Sequence, residues 1–169
     1  MVFVKTNCTS RHVTINGTEI EEVNSTKFLG VFIDNKLKWD IQIKHVQSKI
    51  SKNISILYRV KNLLDASALL TLYNTLVLLY LTYCVEAWGN TYPTNLMCII
   101  KLQKRAVRII GNVGYCDHTN PIFISLNLLK FVDLVKLKTS VLMYKCYYGL
   151  LNERFNKLFS VNSNNTRQK

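Results

Sequence analysis

The chain has 169 residues, 49% of them hydrophobic and 19% charged, a globular composition that excludes a disordered chain and leaves room for one domain with a sizeable core rather than two. Its formal charge is +12, and the excess lies wholly beyond residue 40: residues 1–40 hold five basic and five acidic side chains, residues 41–169 seventeen and five. A basic body behind a neutral leader points to a polyanionic partner, nucleic acid first and an anionic membrane surface second.

In chain order, the first forty residues read as β structure. In "HVTINGTEIEEV", Val13, Ile15, Ile20 and Val23 alternate around Asn16-Gly17, a dipeptide suited to the positive φ angles of a tight hairpin turn. "KFLGVFI" then gives a short apolar strand, Phe28 to Ile33, in which Gly30 marks a bulge or a close backbone approach. Three short strands have little stability alone and need something to pack on. Asp34-Asn35 is turn chemistry, and Asp40 is placed to cap the following helix through its free first-turn amides.

From Asp40 the period becomes helical. Val46, Ile50, Ile54, Leu57 and Leu64 share one face, while His45, Lys49, Lys52 and Arg59 gather on another. A second helical run starts after Asp65 and continues to about Trp88, where "GNTYP" ends it. Within it, Ala68 to Trp88 is 21 residues without Lys or Arg, long enough to span a bilayer at ~1.5 Å per residue. It also carries Asn74, Glu86 and three threonines, so a helix buried on most sides accounts for it better than a membrane span.

The third helix, roughly Thr94 to Ile110, places Lys101, Lys104, Arg105 and Arg108 within an arc of about 100°, opposite Ile99, Leu102, Ala106, Ile109 and Ile110. "GNVGYCDHTN" (111–120) is a loop, and Pro121 opens a further helical segment. Phe131 to Tyr148 is a long helix with Lys136, Lys138 and Lys145 at polar positions, Gly149 breaks it, and "LLNERFNKLF" makes a last short helix. The polar stretch 160–169 is predicted to be a disordered tail. The expected fold is mainly α: a small N-terminal antiparallel β element, hairpin plus one strand, followed by a bundle of five or six helices.

Enzymatic motifs are missing from the sequence. No Asp-Asp occurs, and the only adjacent acids, Glu21-Glu22, point to opposite faces of an extended segment. There is no phosphate-cradling GxxxxGK[ST], no GxSxG elbow, and His12, His45 and His118 are scattered. The five cysteines, Cys8, Cys84, Cys98, Cys116 and Cys146, are odd in number and never spaced as CxxC. That usage fits reduced thiols in an intracellular protein of nucleus or cytoplasm rather than a disulfide framework or a zinc site. The N-terminus "MVFVKTNCTSRH" has none of the features of a secretory signal.

"TKFLGVFIDNKLKWDIQIKHVQSKISKNISILYRV", then "LYNTLVLLYLTYCVEAWGN" and "LQKRAVRII", resemble in order and spacing the C-terminal part of the reverse transcriptases of LINE-type (non-LTR) retrotransposons, jockey-like elements especially. The resemblance implies that residues 1–39 are the end of a palm. "MVFVKTN" is its last strand, and Phe28, Leu29, Gly30 and Val31 are a primer-grip-like strand. Residues 40–159 are then a thumb and the helical region after it.

It further implies a module that binds an RNA–DNA duplex or template RNA through Lys49, Lys52, Arg59, Lys101, Lys104, Arg105 and Arg108, with Tyr58, Tyr73 and Trp39 as aromatics able to stack on a nucleotide. The catalytic aspartates of such a polymerase, and the Mg2+ they bind, belong to the palm and fingers upstream, so no cofactor is expected in this chain. In one detail the sequence departs from the family, which often has proline where Leu79 stands; the apolar run is therefore expected to continue or bend less sharply. A basic helical interaction protein, domesticated or degenerate, is the alternative, and a membrane-associated protein through residues 68–88 is a weaker one.

Overall fold

The computed structural model describes residues 14–19, 21 and 23–156. The expected palm strand "MVFVKTN" and the polar tail 160–169 lie outside them. As expected from the sequence, the protein is mainly helical, with antiparallel β structure at its N-terminal side.

Strands β1 (Thr14–Ile15) and β2 (Thr18–Glu19) pair antiparallel around Asn16-Gly17, both with positive φ (50° and 79°). That is the hairpin turn the dipeptide favours. The next stretch differs from expectation. Phe28 to Ile33 is not one strand with a bulge but a second hairpin, β3 (Ser25–Phe28) against β4 (Val31–Asp34), with Phe28 opposite Val31. Leu29 and Gly30 form its turn at φ 46° and 84°, so the chain reverses where a strand was read to run through.

Helix α1 (Asp40–Val60) buries Ile43, Val46, Ile50, Ile54 and Leu57, the face that the 3.6-residue period marks. It ends before Leu64, which is 39% exposed. Asp65 caps α2 (Ala66–Tyr73) by accepting a hydrogen bond from the Ala68 amide at 3.0 Å. The long apolar run does not continue as one helix. α2 passes through a π-helical turn (Asn74–Leu78) into α3 (Leu79–Thr82), and the chain breaks at Tyr83 and Cys84 (φ 50°) before α4 (Val85–Trp88).

A π-helical turn leaves carbonyls without their usual partner. The Leu76 carbonyl, within that turn, accepts a hydrogen bond from Asn53 Nδ2 of α1. The π-helical interruption falls directly before Leu79, and the chain leaves the helix only at Tyr83 and Cys84. No helix among the described residues is long and apolar enough to cross a membrane.

Helix α5 (Pro93–Ile110) has proline in its first turn and packs along α1. Helices α6 (Asn120–Ser125), α7 (Phe131–Tyr147) and α8 (Glu153–Asn156) follow. The core runs from Ile50, Ile54 and Leu57 through Tyr73, Val77, Leu81 and Val85 to Ile99, Val107 and Phe131. At its α4–α7 side, Trp88 is fully buried and stacks on Phe131, with ring centroids 5.8 Å apart. Its indole N–H donates to the Tyr83 carbonyl at 3.1 Å, which satisfies the one polar group the ring carries into the core.

Candidate nucleic-acid interface

The basic residues of α5 stand where the helical period predicts. Leu96, Ile99, Gln103, Ala106, Val107 and Ile110 face inward, and Lys101, Lys104 and Arg105 are exposed on the opposite side. Placed at 100° intervals, the centres of the two faces lie about 170° apart. On α1, Lys49, Lys52 and Arg59 are likewise exposed, and Lys52 lines a shallow groove of about 430 Å³ with Lys44, Gln47, Ser48 and Ser51. Among the described residues no carboxylate forms an ion pair with any of these six cations, so their field is not neutralised locally.

Two residues of the expected basic faces are engaged elsewhere. Arg108 is half-buried; its Nε donates to the Asp117 carbonyl at 3.0 Å, and its guanidinium lies 5.9 Å from the Tyr115 ring centroid. It ties the 111–118 loop to α5, as well as carrying charge. His45 packs its ring 5.0 Å from that of Phe32. Partial burial first, then the nearby charges of Lys49 and Lys27, lower its pKa, so it adds little cation at neutral pH.

The tip of the second hairpin brings Phe28, Leu29, Gly30 and Val31 together, but as a reversal. Phe28 and Leu29 are 62% and 74% exposed, whereas Val31 is buried. The Tyr83 hydroxyl, at the α3–α4 break, donates to the Leu29 carbonyl at 2.6 Å. Gly30 carries φ 84°, and an added Cβ would stand 3.7 Å from the Tyr83 ring. One residue beyond the tip, on β4, the Phe32 amide donates to Gln42 Oε1 of α1 at 3.0 Å, and Gln42 is buried. The tip is therefore held against the helical body at two points.

Of the two aspartates of this region, Asp34 is the turn residue expected, whereas Asp40 is not the expected cap. Asp40 does not cap α1. It is the helix's first residue, the preceding Trp39 sits at φ 67°, and its carboxylate accepts from Asn95 Nδ2 of α5 at 2.9 Å. Its charge still favours the helix N-terminus. Asp34 gathers the amides: Oδ1 accepts from Lys36 at 3.1 Å and Lys38 at 3.0 Å, and Oδ2 from Trp39 at 2.8 Å. Partial burial would raise its pKa, but these amide bonds outweigh it and lower the value.

Of the three aromatics expected to stack on a nucleotide, Tyr73 is excluded because it is wholly buried. Trp39 packs against the core. Tyr58 alone stands out, 57% exposed with the Lys61 ammonium 4.9 Å above its ring. Gln103, 1% exposed, is a residue that the periodicity of α5 passes over. Its Nε2 donates to the Tyr73 hydroxyl and the Leu129 carbonyl, each at 3.0 Å, and its Oε1 accepts from the Phe131 amide at 2.7 Å. A polar residue inside the apolar arc of α5 is the signal that would have found it. No group of three or more His, Cys, Asp or Glu among the described residues is placed to hold a metal ion.

The chain is similar to the RNA-directed DNA polymerase from mobile element jockey of Drosophila funebris. The two are 27% identical over 127 residues, which is 73% of this chain and 14% of that protein. The likeness supports a relation to retrotransposon reverse transcriptases. No protein-family model matches the chain, and no solved structure matches it.

Proposed function

We propose that this chain is the part of a non-LTR retrotransposon RNA-directed DNA polymerase that holds the template–primer duplex. Residues 1–39 are the end of the palm, with the Phe28–Val31 tip as its primer-grip-like element; residues 40–159 are the thumb and the helices after it. The catalytic carboxylates and their Mg2+ belong to upstream palm and fingers. The observation that supports this best is the α5 face of Lys101, Lys104 and Arg105, which opposes the core and lacks ion-pair partners among the described residues. Such a face neutralises phosphates and follows the backbone shape of an A-like duplex, whose deep groove side chains cannot read.

The test is fluorescence anisotropy of a labelled RNA–DNA hybrid with the full chain. Reversal of the face by Lys101→Glu, Lys104→Glu and Arg105→Glu weakens binding by on the order of tenfold or more at physiological salt, without moving the melting midpoint. A control reversal of equal charge at the start of α7, Lys130→Glu with Lys136→Glu and Lys138→Glu, has a smaller effect. Equal losses from the two reversals would reduce the effect to net charge and remove the α5 face from the interface. Binding to an acidic protein with no binding to the hybrid would favour the interaction-protein alternative.

A further inference from the structure

The C-terminal end of α7 carries a feature that the basic faces do not explain. Tyr144, Tyr147 and Tyr148 are 58%, 70% and 60% exposed, yet their rings touch one another. The Tyr144 and Tyr148 centroids are 4.5 Å apart, and those of Tyr147 and Tyr148 are 5.1 Å apart in an edge-on arrangement. The spacings of three and four residues put the rings over one turn of the helix. They contact each other instead of the core, so the aromatic surface is ordered in advance and still open to solvent, which reduces the entropy lost when something stacks on it.

Charge identifies the occupant. Lys145 lies between the rings in sequence and is exposed, as is Arg154 on α8, which packs against α7. Across the described residues 131–156 the chain carries four basic and two acidic side chains. A neutral apolar partner would leave those cations uncompensated, whereas a polyanion with flat apolar faces matches both features. In a duplex those faces are already stacked inside the helix; in a single strand they are free.

We infer that Tyr144, Tyr147 and Tyr148 form a stacking platform for single-stranded nucleic acid, apart from the duplex-binding faces of α1 and α5. The inference rests on the proposed function only for the class of polymer.

The test uses the full chain with a labelled oligouridine of about 12 nucleotides, within the range of single-strand site sizes, and, separately, the RNA–DNA hybrid. Replacing all three tyrosines by alanine weakens oligouridine binding by about tenfold or more, since each base–ring stack lost costs at least severalfold. Hybrid binding changes by less than about twofold. Tyr→Phe at the same three positions keeps single-strand binding, because the ring is what stacks. Unchanged oligouridine binding in the alanine variant overturns the platform and leaves the duplex reading intact. Ring-dependent oligouridine binding with no hybrid binding supports the platform and overturns the duplex reading. An alanine variant that binds both nucleic acids normally but loses an acidic protein partner assigns the rings to protein contact and overturns the inference.

Discussion

Gln103 shows how much of the helical body depends on one polar side chain. It links α5 to the Tyr73 hydroxyl of α2, the Leu129 carbonyl and the first amide of α7. Gln103→Leu roughly keeps the volume but leaves the Tyr73 hydroxyl and the Phe131 amide buried without their partner, and the part-buried Leu129 carbonyl as well. The expected loss is about 2–4 kcal/mol, read as a lower urea midpoint at unchanged m-value. Adding Tyr73→Phe removes one of the orphaned groups, so the double variant loses less than the sum of the singles. Asp34 gives a pH signature. Its folded pKa lies below the usual 3.8, so its contribution is fully present above that value and fades as pH falls through the lower, folded one. Asp34→Asn offers one acceptor oxygen to three amides; it lowers stability at pH 7 and flattens the acid limb of a stability-against-pH curve relative to the parent. The sequence marks Asp34 as a turn residue, which it is, but attaches a cap to Asp40 that α1 lacks, since spacing along the chain does not reveal that Asn95 of α5 takes up the Asp40 carboxylate.

Elements were legible where one periodic face met solvent and the other met the core. The apolar and basic arcs of α5, the start of α2 after Asp65 and the Asn16-Gly17 turn all follow from local rules. Legibility failed where tertiary contacts choose between local options. In "FLGV", Leu29 takes a positive φ, which a bulky residue seldom does alone, because Tyr83 holds its carbonyl and the turn is fixed from outside. The largely apolar run 68–88 shows no period from which to read the π-helical turn or the Cys84 break. Gly30→Val tests the hairpin: φ 84° is strained for a β-branched residue, at a cost of about 1–3 kcal/mol. The amides of β3 and β4 are then expected to exchange faster in hydrogen–deuterium exchange, with α5 unchanged. Unaltered protection of the Phe32 amide would mean that the turn does not set the hairpin.

For the whole molecule, the decisive feature is charge that the core has turned outward. Helices α1 and α5 pack on each other through apolar faces, and six unpaired cations, Lys49, Lys52, Arg59, Lys101, Lys104 and Arg105, remain on their solvent sides among the described residues. The excess of basic residues beyond position 40 foreshadowed this. The sequence did not show that Arg108 is drawn off to a loop or that His45 is half-buried against Phe32, where burial lowers its pKa, since both depend on neighbours distant in the chain. If the proposed duplex site uses these six positions, each releases counterions when it meets a phosphate, and the affinity for an RNA–DNA hybrid carries that number in its salt dependence. The direct measurement is the slope of log affinity against log salt concentration. A slope of about −5 is predicted for the unaltered chain, made shallower by about 3 when Lys101, Lys104 and Arg105 are changed to glutamine; an unchanged slope in that variant would contradict the account.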